Sequence, residues 1–182
     1  MIKRAFSIAA ALLGLCSATA FGQEKVASVY TNLAASKCTT LTTDRETGAS
    51  TQRCPGIAGY KLLVHDDDAR QSITVVSPDG KKHDLDFWNV VTPAFSSVGS
   101  KAEWRAVRNK RKLTPVALIV RVNANEDPEN PSRVTSYLTV TKLGADGICV
   151  THKIAQSADA NAKARQAADE SRSAACLKGA SP

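Results

Sequence analysis

Four cysteines, Cys38, Cys54, Cys149 and Cys176, follow an N-terminal stretch that reads as a secretory leader, and together these features constrain the fold more than any other part of the chain. Lys3 and Arg4 form a positive start, Phe6 to Leu15 an apolar run too short to span a bilayer, and Ala18-Thr19-Ala20 a small-residue cleavage site. Ala20-Phe21-Gly22 offers a second site, leaving Gln23 first, so cleavage is placed between Ala20 and Gln23. The expected organisation is a signal peptide over 1–22 and a single globular domain over 23–182, periplasmic or secreted. In an oxidising compartment, four cysteines beyond a leader point to two disulfides rather than to thiolate chemistry.

Removing the leader leaves roughly 160 residues, enough for one hydrophobic core. The whole chain carries 24 Lys plus Arg against 17 Asp plus Glu, and the leader holds Lys3 and Arg4 and no acid. The remainder has 22 basic against 17 acidic side chains, a net charge of +5. That balance favours anionic surfaces or acidic partners through long-range attraction. Aromatic residues are 5% of the chain, too few for a large stacking surface, so nucleic acid is not an expected partner.

From Cys38 to Cys54 the chain is rich in Thr, Ser and Gly, which suits short extended pieces around an exposed turn. Tyr60–Val64 and Ser72–Val76 are β-branched and apolar, and read as neighbouring antiparallel strands. Ser77-Pro78-Asp79-Gly80 is a turn signal, after which a strand from His83 to Val90 is expected to return. From Lys101 to Val107 the residues alternate: Ala102, Trp104 and Ala106 form an expected core face, Lys101, Glu103 and Arg105 an expected wet one. Pro115 to Val122 is apolar on both faces, as in a central strand. Arg133–Lys142 and Ile148–Ile154 complete the strands.

At Ser157 the composition changes to Ala-rich, and Ser157 is placed to cap a helix through about Ala174. About five strand residues rise roughly 17 Å from Cys149, and about 17 helical residues return roughly 25 Å. That brings Cys176 near Cys149 and leaves Cys38 to pair with Cys54, one of three possible connectivities. The fold class expected is α+β: a mainly antiparallel sheet or partly closed barrel of about six to eight strands, one C-terminal helix and two disulfides.

Three clusters could carry function. His65, Asp66, Asp67 and Asp68, with Arg70 after them, form the densest polar group; the spacing fails the calcium-loop pattern, and an acidic hairpin with Arg70 paired to a neighbouring Asp is the plainer reading. A hydrolase using His65, Asp66 and Asp68 is the catalytic alternative. His65, His83 and His152 share no metal-ligand spacing, although strand pairing could bring His65 toward His83. The basic cluster is Lys101, Arg105, Arg108, Lys110, Arg111 and Lys112, crowded into one expected hairpin with Glu103 as its only acid. Such a hairpin attracts lipid phosphates, wall polymers or an acidic protein, and equally serves as a solvated turn that keeps an edge strand soluble. The sequence offers no nucleophile elbow and no phosphate-cradling glycine loop, so no enzyme, cofactor or metal is expected.

Phe87-Trp88-Asn89-Val90-Val91-Thr92-Pro93-Ala94-Phe95, Ala102-Glu103-Trp104-Arg105 and Asp127 through Leu138 resemble a group of secreted bacterial proteins without an assigned function. That likeness covers most of the chain after the leader and implies no activity. Ser97-Val98-Gly99-Ser100-Lys101 is similar in composition to the loop that periplasmic C-type lysozyme inhibitors, small disulfide-bonded β-barrels, insert into the lysozyme cleft. The expected role is therefore an exported, non-catalytic binding or cell-envelope protein, with lysozyme inhibition as the alternative.

Overall fold

The computed structural model describes residues 25–110 and 112–179. The leader, its cleavage site and Arg111 lie outside them. Ten strands form one sheet: β1 (Val26–Asn32), β2 (Thr39–Thr43), β3 (Ser50–Pro55), β4 (Lys61–Asp67), β5 (Arg70–Val76), β6 (Lys82–Asp84), β7 (Ser96–Asn109), β8 (Lys112–Ala124), β9 (Thr135–Gly144) and β10 (Gly147–Ala155). Two helices accompany them, α1 (Phe87–Val90) and α2 (Ala160–Glu170). The strand order is β10-β9-β8-β7-β5-β4-β3-β2, with β1 beside β7 and β6 beside β5.

The long strand β7 organises this arrangement. Its first residue, Ser96, pairs in parallel with Arg70 of β5, while Lys101 to Val107 pair antiparallel with β1. One edge of β7 thus serves two neighbours in turn, and the sheet forks there. The arms fold around one core in which Leu62, Val64, Ile73 and Val75 from β4 and β5 meet Ala102, Trp104, Leu118, Val120 and Val122 from β7 and β8. Two expectations are corrected as a result: the strands number ten rather than six to eight, and the sheet does not close into a barrel. It is mainly antiparallel, as expected, and the single β5–β7 contact makes it mixed. The strand without a sequence signal is β1, where Val26-Ala27-Ser28-Val29-Tyr30 keeps no strict apolar–polar alternation.

The expected strand over His83–Val90 is also corrected: β6 stops at Asp84. Asp86 takes a left-handed φ of 47°, and Phe87 to Val90 make one helical turn that places Leu85, Phe87 and Val91 in the core. A strand would also have set Leu85, Phe87 and Val91 on one face; it is the left-handed Asp86 that turns the chain out of β6 and into the helical turn. The β4–β5 hairpin closes through Asp68 and Ala69, with φ of 49° and 55°, the double left-handed geometry of a type I′ turn.

Helix α2 forms a third layer. Ala160, Ala164 and Ala168, spaced i, i+4 and i+8, lie along one stripe and pack on Ala117, Ile119, Leu138 and Val140 of β8 and β9. Their small size lets the helix sit close to the sheet, and it explains why β8 is apolar on both faces. The helix is shorter than the expected Ser157–Ala174 span. Asp159 is its N-cap residue, with no side-chain capping bond, and the Ser157 hydroxyl instead donates to the Asp159 carboxylate at 2.7 Å.

Both disulfides form as paired from the sequence, Cys38–Cys54 and Cys149–Cys176, with Cα separations of 4.4 and 5.7 Å. The second holds the segment after α2 against β10, where the Leu177 amide donates to the Val150 carbonyl at 2.7 Å. That tail covers an edge that would otherwise present unpaired backbone groups. Among the described residues, no helix is long and apolar enough to cross a membrane.

The helix also changes the character of the expected wet face of β7. Lys101 is exposed, but Glu103 and Arg105 are buried at 9% and 8% exposure because α2 lies over them. Arg105 donates to both carboxylate oxygens of Asp169, at 2.8 and 2.7 Å, and Arg165 donates to Glu103 at 2.6 Å. Ser28 links the two pairs, accepting from Arg105 at 2.6 Å and donating to Glu103 at 2.5 Å. Burial pushes the Glu103 carboxyl up, but hydrogen bonds from Arg165 and Ser28 and the Arg165 charge outweigh it and hold the group below its usual value of 4.5. A depressed carboxyl contributes its full stabilisation above its unfolded value and loses it as pH falls through the folded one. Stability should therefore weaken as pH drops below about 4.5, and Glu103→Gln should flatten part of that acid limb. Denaturant midpoints at pH 7, 5, 4 and 3 check this; an acid limb identical in both proteins would show that Glu103 is not one of its sources.

Candidate functional site

Strands β7 and β8 form a hairpin that projects to a tip at Lys110, whose φ of 52° makes the reversal between Asn109 and Lys112. Arg108, Lys110 and Lys112 are exposed there. The C-terminal end of α2 is anchored to the same hairpin by the Arg105–Asp169 pair, so Arg172, just beyond it, arrives beside the tip. Lys110, Lys112 and Arg172 line one concavity of about 630 Å³, together with Val107, Asn109, Thr114 and Val116. Among the described residues, none of Arg108, Lys110, Lys112 and Arg172 belongs to an ion pair.

The basic cluster expected from the sequence is only partly assembled. Arg105 is turned into the fold by Asp169 and leaves the patch. Lys101 stands near the middle of β7, about 23 Å from Arg108 at a rise of about 3.3 Å per residue. Arg111 lies outside the described residues. In exchange the site gains Arg172, which sequence reasoning missed because it is 60 residues from Lys112 and no local pattern joins them. The one available clue was the helix itself, whose return toward the sheet was legible from Cys149 and Cys176.

Asp68 leaves the His65, Asp66 and Asp68 group, while His65 and Asp66 border one concavity and take different hydrogen-bond partners. Successive side chains of a strand point to opposite faces. The His65 ring nitrogens lie 3.1 and 2.9 Å from the hydroxyls of Thr51 and Thr74, while Asp66 accepts from Gln71 at 2.8 Å. Asp68 pairs with Arg70 in the turn, as the plainer reading held. His65 and His83 are not brought together. His65 pairs with Ser72 across one edge of β5, and His83 with Val75 across the other. They are two strand spacings of about 4.8 Å apart and offset along β5. No group of three His, Cys, Asp or Glu side chains among the described residues is arranged to hold a metal ion.

Ser97 to Lys101, similar in composition to an inhibitor loop, is not a loop here. It belongs to β7, and Ser97, Val98 and Ser100 line a cleft of about 380 Å³ at the fork, opposite Asp66 and Gln71. The Val98 amide donates to the Gln71 side chain at 2.9 Å, so a glutamine stands in for the missing strand neighbour. The Arg70 guanidinium packs against two exposed rings, 5.2 Å from the centre of Trp88 and 4.9 Å from that of Phe95. This stacking, with the Arg70 bond to the Pro93 carbonyl at 3.1 Å, ties the β4–β5 hairpin to the segment before β7. Neither a family model, nor a curated protein, nor a solved structure matches the chain, so the site is read from its own chemistry.

Proposed function

We propose that this protein is an exported, non-catalytic binding protein that holds an anionic component of the cell envelope at the β7–β8 tip. The observation that carries the reading is the concavity lined by Lys110, Lys112 and Arg172, three cations converging from two distant stretches of chain with no internal carboxylate partner among the described residues. A solvated turn needs no such convergence. The leader and the two disulfides support export to an oxidising compartment.

Co-sedimentation with vesicles containing phosphatidylglycerol tests it. Binding is expected at low salt, should weaken steeply toward about 0.5 M salt, and should be absent on phosphatidylcholine alone. Each cation at an anionic surface contributes about 1 kcal/mol, so replacing Arg108, Lys110, Lys112 and Arg172 with Ser should weaken binding by about 4 kcal/mol, close to a thousandfold. Equal binding by the wild type and this variant would remove the proposal.

A further inference from the structure

The lining of the tip cleft is not uniformly polar, and its apolar part has a structural cause. Helix α2 covers the outer face of β8 as far as Ala117, and the chain turns away after Ser173. Closer to the tip, none of the described elements covers that face. Val107 is half-buried there. Val116 is the extra residue where the β7–β8 register shifts, between the pairs Arg105–Ala117 and Ala106–Pro115, and a bulge of this kind re-aims a side chain. Both valines line the cleft with the three cations, Asn109 and Thr114, and form its apolar part. A bare polyanion would satisfy the rim and leave the valine floor wet. A ligand with a charged head and an apolar stem would cover both, in a space within the range of small-molecule sites.

We infer that the cleft between the β7–β8 tip and Arg172 takes an anionic amphiphile: a phosphate head group held by Lys110, Lys112 and Arg172, with an acyl stem lying on Val107 and Val116. This rests on the proposed anion binding at the tip and adds the ligand class. Burying a methylene is worth about 0.8 kcal/mol, or about fourfold in affinity, so three methylenes on the floor should gain about sixtyfold.

Calorimetric titration with ligands kept below micelle formation tests this. Lysophosphatidylglycerols of increasing chain length should bind progressively tighter than glycerol 3-phosphate until the floor is filled, and lysophosphatidylcholine of equal length should bind at least tenfold more weakly. Val107→Thr with Val116→Thr keeps the shape of the floor and removes its apolar character. It should abolish the chain-length gain, so that lysophosphatidylglycerols of every length bind that variant alike. If that variant fails to fold, as judged by its thermal transition, the chain-length series on the wild type decides alone. Equal affinity for glycerol 3-phosphate and the lysolipids would overturn the inference while sparing anion binding at the tip; no binding of any anionic probe would overturn both.

Discussion

Replacing Cys149 and Cys176 together with serine is expected to lower the unfolding free energy by about 3.5 kcal/mol, read as a shift of the urea midpoint. The bridge closes a loop of sequence separation 27, and the chain-entropy cost of leaving that loop open in the unfolded state is of this size. The same treatment gives about 3 kcal/mol for Cys38 with Cys54, whose separation is 16. The two variants should differ more in the native state than in the unfolded one. Cys38–Cys54 ties down a Thr-rich hairpin at the rim, where β2 is exposed throughout. Cys149–Cys176 holds the tail that covers β10, so its loss should also release the Leu177 amide bonded to Val150. Amide hydrogen exchange at Leu177 should accelerate in that variant alone. A loss below about 1 kcal/mol would mean that the alanine stripe of α2 and its ion pairs carry the docking without the bridge.

Trp104→Ala is expected to cost about 4 kcal/mol, and to do so where the arms of the sheet meet. Trp104 is fully buried, its ring centre is 5.9 Å from that of Tyr60, and its indole N–H donates to the Thr31 hydroxyl at 2.9 Å. The alanine leaves a cavity that β4 and β5 on one side and β7 and β8 on the other can close only by moving whole strands. Trp104→Phe should cost less, since it keeps most of the volume and loses the hydrogen bond. The chain has two tryptophans, and Trp88 is 41% exposed, so fluorescence separates them. The alanine variant should lose the blue-shifted emission and keep the red-shifted part. A change in stability below about 1.5 kcal/mol would mean that the core repacks around position 104 and that the fork does not depend on it.

Much of the fold was legible because its signals are local. Alternation from Lys101 to Val107 assigned Ala102, Trp104 and Ala106 to the core, and the apolar run Pro115–Val122 marked the strand buried on both faces. The disulfide pairing followed from the rise per residue of a strand and of a helix, which depends on backbone geometry alone. What failed was decided by contacts between distant segments. Nothing near Phe87 announces that it enters the core through a helical turn, and Val26–Asn32 becomes a strand because β7 offers it an edge.

The candidate site divides in the same way. Lys110 and Lys112 were readable at a turn, since a hairpin tip exposes whatever it carries. Arg105 looked equally free and is not, because α2 places Asp169 against it; Arg172 looked unrelated and becomes part of the cleft for the same reason. By itself the sequence determined most of the segments that extend, the one that coils and which sulfurs can reach each other, all consequences of backbone geometry and side-chain periodicity. Only the tertiary structure decided which charges are neutralised and which converge, because electrostatic partnership depends on distance in space, and the helix that sets those distances is held by packing rather than by any pattern near the charges.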